Sequence, residues 1–274
     1  MRRSLLLVVV LLTVLGFAPA ARAGTAVPPA LPTAIASAGD SITRGYDVTL
    51  WGCVLRDCPS YSWSTGTNGK VTSQYARIEA AQPGVLVTAT NVARTGARMA
   101  DLDGQLRRLV GDGYQYVTVL LGANDVCASS PPAMTSVASF QASYTTALTR
   151  FLGRHPSAYV SVSSIPNIYQ LWKVFKDSPS ARKTWSTFGI CQSMLSARNT
   201  EQTRLAVLAR EQAFNEVLEK GCLARPRCHW DGGALFRVRF ARSDVSTVDH
   251  FHPSVAGQAR LAAVSWAAGY WPKR

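Results

Sequence analysis

Ser41 lies in "SAGDSITRGYD" (Ser37–Asp47), directly after Gly39-Asp40. A serine hydroxyl is a poor nucleophile unless a base takes its proton and nearby donors hold the oxyanion that forms. By itself a Gly-Asp-Ser tripeptide reads first as a surface turn, so any case for chemistry rests on partners elsewhere in the chain. Four histidines are available as the base: His155, His229, His250 and His252. His155 precedes Pro156 at the end of a helical stretch and reads as exposed. His229 adjoins Cys228 and reads as structural. His252 stands three residues after Asp249, directly before Pro253 and a final helical segment. In a tight turn that D-x-x-H spacing can bring a carboxylate to the far ring nitrogen, which fixes the tautomer and stabilises the imidazolium. His250 and His252 also form H-x-H, but no further metal ligand is evident beside them. Oxyanion donors complete the candidate set: the backbone N–H groups of Ser41 and Gly96, and the side-chain amide of Asn124. Glycine permits a close backbone approach, and an asparagine amide is a neutral donor. Asp40 is better suited to bracing the turn than to chemistry, and Asn124 followed by Asp125 could also serve only as a turn.

These residues need elements to carry them. "AIASAG" (Ala34–Gly39) and "YVTVLLG" (Tyr116–Gly122) read as buried strands. "VLVTATNVA" (Val85–Ala93) and "AYVSVSSIP" (Ala158–Pro166) read as further strands, the last stopped by its proline. In "RMADLDGQLRRLV" (Arg98–Val110), Met99, Leu102, Leu106 and Leu109 fall at helical spacing. Helices are also expected over about 136–152, over 201–221 with Gly221 as the stop, and over about 254–268. Strand and helix alternate, and several strands are near-continuous apolar runs, which indicates a parallel sheet covered on both faces. Sites in such sheets form beyond the carboxyl ends of the strands. Ser41, Gly96, Asn124 and the Asp249–Ser254 turn all fall at such places.

The ends of the chain and its charge set the context. Arg2 and Arg3, an apolar run from Leu5 to Phe17, and Ala21-Arg22-Ala23 form a secretory signal pattern with cleavage expected after Ala23. A flexible Ala/Pro-rich lead-in over 24–32 and a single domain over 33–274 follow. Removing 23 of the 274 residues leaves 251 and takes away three arginines and no acid, so the net charge falls from +13 to +10. A basic surface attracts anionic lipid, wall polymer or nucleic acid. Nucleic acid fits least, because the basic residues are spread along the chain with no dense block. All six cysteines lie in the mature part, and an even number in an exported chain reads as disulfides. Proximity pairs Cys53 with Cys58 and Cys222 with Cys228, leaving Cys127 with Cys191. Zinc lacks a C-x-x-C or a paired Cys/His set. The segment from Tyr46 to Lys70, with Trp51, Tyr61 and Trp63, reads as an excursion from the core.

"GDSIT" with Ser41, "ARTGARMADL" with Gly96, "GAND" with Asn124 and "DHFHPS" with Asp249 and His252 together resemble the four sequence blocks of the SGNH (GDSL-type) hydrolases, in order and across nearly the whole mature chain. Ile42 stands where the family's name has leucine. The resemblance implies a flavodoxin-like three-layer α/β/α fold around a central parallel sheet. It implies Ser41 as nucleophile, His252 as base, Asp249 as its partner, and an oxyanion hole from Ser41, Gly96 and Asn124, with no cofactor and no metal. "SWSTGT" (Ser62–Thr67), "GANDVC" with Cys127, and "DHFHPS" are similar to secreted actinobacterial SGNH esterases and the phospholipase B-type branch. That implies a lipid or other small ester substrate. The expectation is therefore a secreted, monomeric ester hydrolase acting on lipid or phospholipid esters, with transient contact to anionic lipid and none to nucleic acid. An O-deacetylase of carbohydrate or wall polymer, and a non-catalytic wall- or lipid-binding protein, are the alternatives.

Overall fold

The computed structural model describes residues 29–111 and 113–271; the expected signal segment, and the lead-in as far as residue 28, lie outside the described residues. Five parallel strands form the sheet: β1 (Ala34–Gly39), β2 (Thr88–Asn91), β3 (Tyr116–Leu120), β4 (Tyr159–Val162) and β5 (Cys228–Trp230), in the order β2-β1-β3-β4-β5. This is the flavodoxin-like order, with the reversal of direction at β1. Among the described residues ten α-helices accompany the strands: α1 (Ser41–Arg44), α2 (Gln74–Ala80), α3 (Leu102–Arg107), α4 (Ala123–Val126), α5 (Val137–Arg154), α6 (Ile168–Phe175), α7 (Pro179–Thr187), α8 (Gln192–Leu195), α9 (Glu201–Leu223) and α10 (Val255–Ala267).

Side chains alternate across a strand, and that alternation builds the layers. Ala36, Ala38, Val117, Val119, Val160 and Val162 point to one face, where they join a core cluster with Leu102 and Leu106 of α3, Phe140, Tyr144 and Phe151 of α5, and Phe214 of α9. The rings of Phe140 and Phe214 stack at 4.1 Å. Ile35, Tyr116 and Leu120 point the other way, towards Ile78 of α2 and Leu261 and Trp266 of α10. Between these apolar positions the second face carries two buried hydroxyls. Ser37 meets Thr65 at 2.9 Å, and Thr118 meets Ser64 at 2.6 Å. The segment "SWST" is thereby fastened to the sheet.

That fastening corrects one expectation. Trp63 is not on an excursion. It is 1% exposed, its indole N–H donates to Thr43 Oγ1 (3.2 Å), and its backbone N–H donates to Gln258 (3.0 Å). Trp51, by contrast, is 88% exposed beyond the Cys53–Cys58 loop. His155 is buried rather than exposed, with its ring 4.7 Å from that of Phe151. Gly221 does not end α9. It lies inside the helix against the Tyr144 ring, which would sit 2.6 Å from an added Cβ, and α9 runs on to Leu223. The stretch expected as one helix over 98–110 is a short 3-10 turn (Met99–Asp101) followed by α3, which stops at Arg107. The described end of the lead-in is held: Trp271 Nε1 donates to Pro29 O (2.6 Å) and Gln82 Nε2 to Pro32 O (3.0 Å).

Three disulfides join Cys53 to Cys58, Cys127 to Cys191 and Cys222 to Cys228. The second closes 64 residues of chain and ties the end of α4 to the start of α8, whereas the other two close 5 and 6. Chain-entropy stabilisation grows with loop length. Replacing Cys127 and Cys191 together by serine is expected to cost about 2–5 kcal/mol, and replacing Cys53 and Cys58 less. Urea unfolding of the two double variants measures the difference.

Candidate active site

Ser41 begins α1, directly after the carboxyl end of β1. Asp40 is the N-cap, and its Oδ1 accepts the N–H of Ile42 at 2.9 Å. The chain can therefore turn sharply from strand to helix with its first free N–H groups pointing beyond the sheet. Ser41 Oγ lies 2.7 Å from His252 Nε2. On the far side of the ring, His252 Nδ1 is hydrogen-bonded to Asp249 Oδ2, while Asp249 Oδ1 accepts the backbone N–H groups of Phe251 (2.9 Å) and His252 (3.0 Å). One carboxylate thus shapes the turn and orients the imidazole. The loop is pinned at both ends. Ser246 N–H donates to His252 O (2.8 Å), and Ser254 N–H donates to Asp244 O (2.9 Å) beside the Val245–Pro253 bridge. Ser254 then caps α10 by accepting the Gly257 N–H at 3.2 Å.

The charges follow from this geometry. Burial opposes a charge on His252, but the Asp249 carboxylate, its hydrogen bond, and the charges of Asp47 and Asp40 outweigh it and raise the imidazole above its ordinary 6.5. Burial also opposes the charge on Asp249, yet His252 and the donated hydrogen bonds hold that carboxyl below the usual range. Asp40 differs. Burial pushes it up to about 7 against the pull of the Ile42 N–H and of His252, and its Oδ2 is buried with no hydrogen-bond partner among the described residues.

Gly96 and Asn124 meet beside β1. The turn Arg94–Ala97 closes through the Ala97 N–H to Arg94 O (3.0 Å), and Gly96 takes the left-handed backbone (φ +78°) that glycine adopts without strain. Arg94 N–H donates to Gly39 O (3.1 Å), which sets the turn against the end of β1. The Asn124 amide donates one hydrogen to Ala97 O (3.0 Å) and keeps the other. The N–H groups of Ser41 and Gly96 have no acceptor among the described residues. The set can therefore offer an anion three donors.

Several supporting residues were not singled out from the sequence. Gln105 on α3 forms a closed pair with Gly39, accepting its N–H and donating to its carbonyl, both at 2.8 Å. Asp125 accepts the Met99 N–H (2.8 Å) and holds the far end of the Gly96 segment. The signal for Gln105 was a lone amide on the apolar face of Met99, Leu102, Leu106 and Leu109. Asp47 is buried beside Asp249. His250 points away from the pair, with its ring 5.6 Å from that of Phe175, and His229 Nε2 bonds to Ala268 O. Among the described residues one group of three possible metal ligands lies together: Asp47, Asp249 and His252. Both ring nitrogens of His252 are engaged by Ser41 and Asp249, so a metal there would have to break the chain of hydrogen bonds.

Two hollows reach His252. A narrow apolar cleft of about 50 Å³ runs between Ile42, Ile168, Leu171, Phe240, Val245 and Phe251. A wider one of about 370 Å³ is bounded by Tyr46, Val54, Leu55, Phe188, Ile190 and Val248, with Asp47 and Asp249 on its wall.

Residues 35–264 match the family described as GDSL-like Lipase/Acylhydrolase. No protein with a curated description matches the chain significantly. Among solved structures, the fold is similar to a catalytic mutant of an acetylxylan esterase from Geobacillus stearothermophilus, with a TM-score of 0.53 and 14% identity over 88% of this chain and 95% of that one. It is likewise similar to phospholipase A1 from Streptomyces albidoflavus (TM-score 0.51, 17% identity, 84% and 98% covered) and to an extracellular lipase from Streptomyces rimosus (TM-score 0.50, 20% identity, 86% and 100% covered).

Asp40 carries a stability consequence. Its folded pKa of about 7 exceeds the ordinary 3.8. Between those values the unfolded chain ionises the carboxyl while the folded chain keeps its proton, so folding loses stability as pH rises through that window. Asn keeps the cap and cannot ionise. Asp40→Asn is expected to raise stability relative to wild type more at pH 8 than at pH 4, as read from paired denaturant titrations. An equal difference at both pH values would contradict the assignment.

Proposed function

Since the chain belongs to the GDSL-like lipase/acylhydrolase family, we propose that it is a secreted, cofactor-free serine ester hydrolase that cleaves acyl esters of lipids through an acyl-enzyme on Ser41. The observation that carries this reading is the continuous hydrogen-bonded chain from Ser41 Oγ through His252 to Asp249. Ser41 Oγ attacks the acyl carbonyl as its proton passes to His252 Nε2. Asp249 remains ionised and stabilises the imidazolium. The oxyanion forms beside the N–H groups of Ser41 and Gly96 and the free amide hydrogen of Asn124. His252 returns its proton to the leaving alcohol. A water activated by the same nitrogen then releases the acid and restores Ser41.

The surroundings favour an apolar acyl group. The cleft walls of Ile42, Ile168, Leu171, Phe240 and Phe251 are apolar, and Asp244, which also lines the cleft, is paired with Arg260. On the other side Val54, Leu55 and Phe188 are exposed at the rim of the wider hollow, with Leu50 and Trp51 also exposed on the same disulfide-tied loop. Exposed apolar clusters of this kind mark interaction sites. Here Val54, Leu55 and Phe188 border the wider hollow that reaches His252, so a lipid surface suits them. A mature net charge of +10 favours anionic lipid. The signal pattern over residues 1–23 and the three disulfides support export to an oxidising compartment.

Ser41→Ala is expected to abolish ester hydrolysis with the fold retained, and Asn124→Ala to lower kcat about 10²–10³-fold. Because the raised pKa of His252 is the one that must be neutral for base catalysis, activity falls as pH drops through a value above 6.5. Rates on a panel of phospholipid, lysophospholipid, short-chain and acetylated-sugar esters test the substrate. Hydrolysis of the acetylated sugar alone would replace the lipid reading with a deacetylase. More than a trace of activity in Ser41→Ala would overturn the mechanism.

A further inference from the structure

Asp47 follows α1 by three residues and is buried, yet it belongs to neither the nucleophile's turn nor the Asp249–His252 turn. Its backbone is left-handed (φ +52°), a conformation that Asp and Asn tolerate better than most residues. From that position it reaches in three directions. Its Oδ1 accepts the N–H of Leu55, whose side chain borders the wider hollow. Its carbonyl accepts the hydroxyl of Ser246, and Ser246 N–H in turn donates to His252 O at 2.8 Å. One of its carboxylate oxygens lies within 4.8 Å of an Asp249 oxygen and a His252 ring nitrogen.

We propose that Asp47 is a second carboxylate behind the Asp249–His252 pair, a positioning residue that ties the 46–58 loop to the 246–252 turn and supplies negative charge to the imidazolium formed during turnover. The inference rests on the proposed roles of Ser41 and His252. A charge this near a partly buried imidazole acts through little solvent. Two neighbouring buried carboxyls resist ionising together. Here Asp249 holds its charge through His252, while burial first, and then the Asp249 charge, push Asp47 up to about 6. Asp47 is consequently neutral in acid and charged above about pH 6.

The groups around it are few. On its own loop Tyr46 lies with its ring 5.1 Å from that of His252, Arg56 O accepts the Asp47 N–H, and Asp57 is paired with Arg44. Across from it stand Asp249 and His252, with Asp40 acting on His252 from beneath Ser41. Two carboxyls that are not bonded to the ring thus act on His252: Asp40 from the serine side, and Asp47 from beside Asp249, the partner it reaches within 4.8 Å.

The test is kcat and KM against pH on a soluble short-chain ester for wild type, Ser41→Ala, Asp47→Asn and Ser246→Ala. For Asp47→Asn, kcat at the plateau is expected to fall roughly tenfold, well short of the 10²–10⁴-fold attached to a general base, with KM little changed. The acid limb of kcat/KM should move to lower pH, because His252 has lost a nearby negative charge. Ser246→Ala cuts the backbone tie but keeps the charge, so it should lower kcat and leave the limb in place. An Asp47→Asn profile with its acid limb superimposed on wild type would overturn the proposal, whatever its effect on stability. If the Asn protein fails to fold, Asp47→Gly, which accepts the left-handed backbone, carries the same readout. Activity in wild type that Ser41→Ala retains would defeat the function reading itself, whereas activity lost in Ser41→Ala but unaltered in Asp47→Asn would defeat only this inference.

Discussion

A single hydrogen bond, from Ser41 Oγ to His252 Nε2, joins residues 211 positions apart and sets what the remaining structure has to do. Such a bond needs both partners placed to within a few tenths of an ångström, which neither loop could achieve alone. On the serine side, the Gln105–Gly39 pair and the Asp40 cap fix the strand-to-helix turn. On the histidine side, Asp249 shapes its own turn through two backbone N–H groups, and Ser246 and Ser254 anchor the turn's ends. The two halves then meet through α10. Gln258 on that helix donates to Ile42 O (2.8 Å) and accepts the N–H of Trp63 (3.0 Å), so the helix that follows His252 grips the helix that begins at Ser41.

The site gathers buried acids around one base. Asp249 is matched to His252 by direct contact, whereas Asp40 and Asp47 are held where burial raises their pKa values to about 7 and about 6. Neither arrangement favours folding at high pH. Both place a carboxyl group near the His252 imidazole. Buried acids with raised pKa values that face one imidazole in a cleft are a mark of a candidate functional site.

Much of this could be read from the chain itself. β1 and β3 declared themselves as apolar runs bounded by glycine, and the residues that could do chemistry fell where a parallel sheet places its sites. What stayed hidden depended on tertiary context. β5 is three residues long, Cys-His-Trp, too short to show alternation, and exists because β4 offers it an edge. The segment carrying α6, α7 and α8 mixes aromatic and basic residues without a clean period, since Trp172, Phe175 and Trp185 pack on one another locally. Trp63 read as part of an excursion from the core because its neighbours are serines and threonines, but those hydroxyls pair with Ser37 and Thr118 on the sheet and carry the indole inward. Asp47 carried no motif at all; only the fold brings it to Asp249.

In the proposed mechanism Ser41 is made nucleophilic by His252. Intact-mass and peptide-mapping kinetics with a phosphorylating organophosphate, followed across pH, test it most directly. One adduct per chain is expected, on Ser41, forming faster as pH rises through the imidazole titration and no longer forming at that rate in His252→Ala. An adduct on another residue, no adduct, or a rate indifferent to both pH and His252 would contradict it.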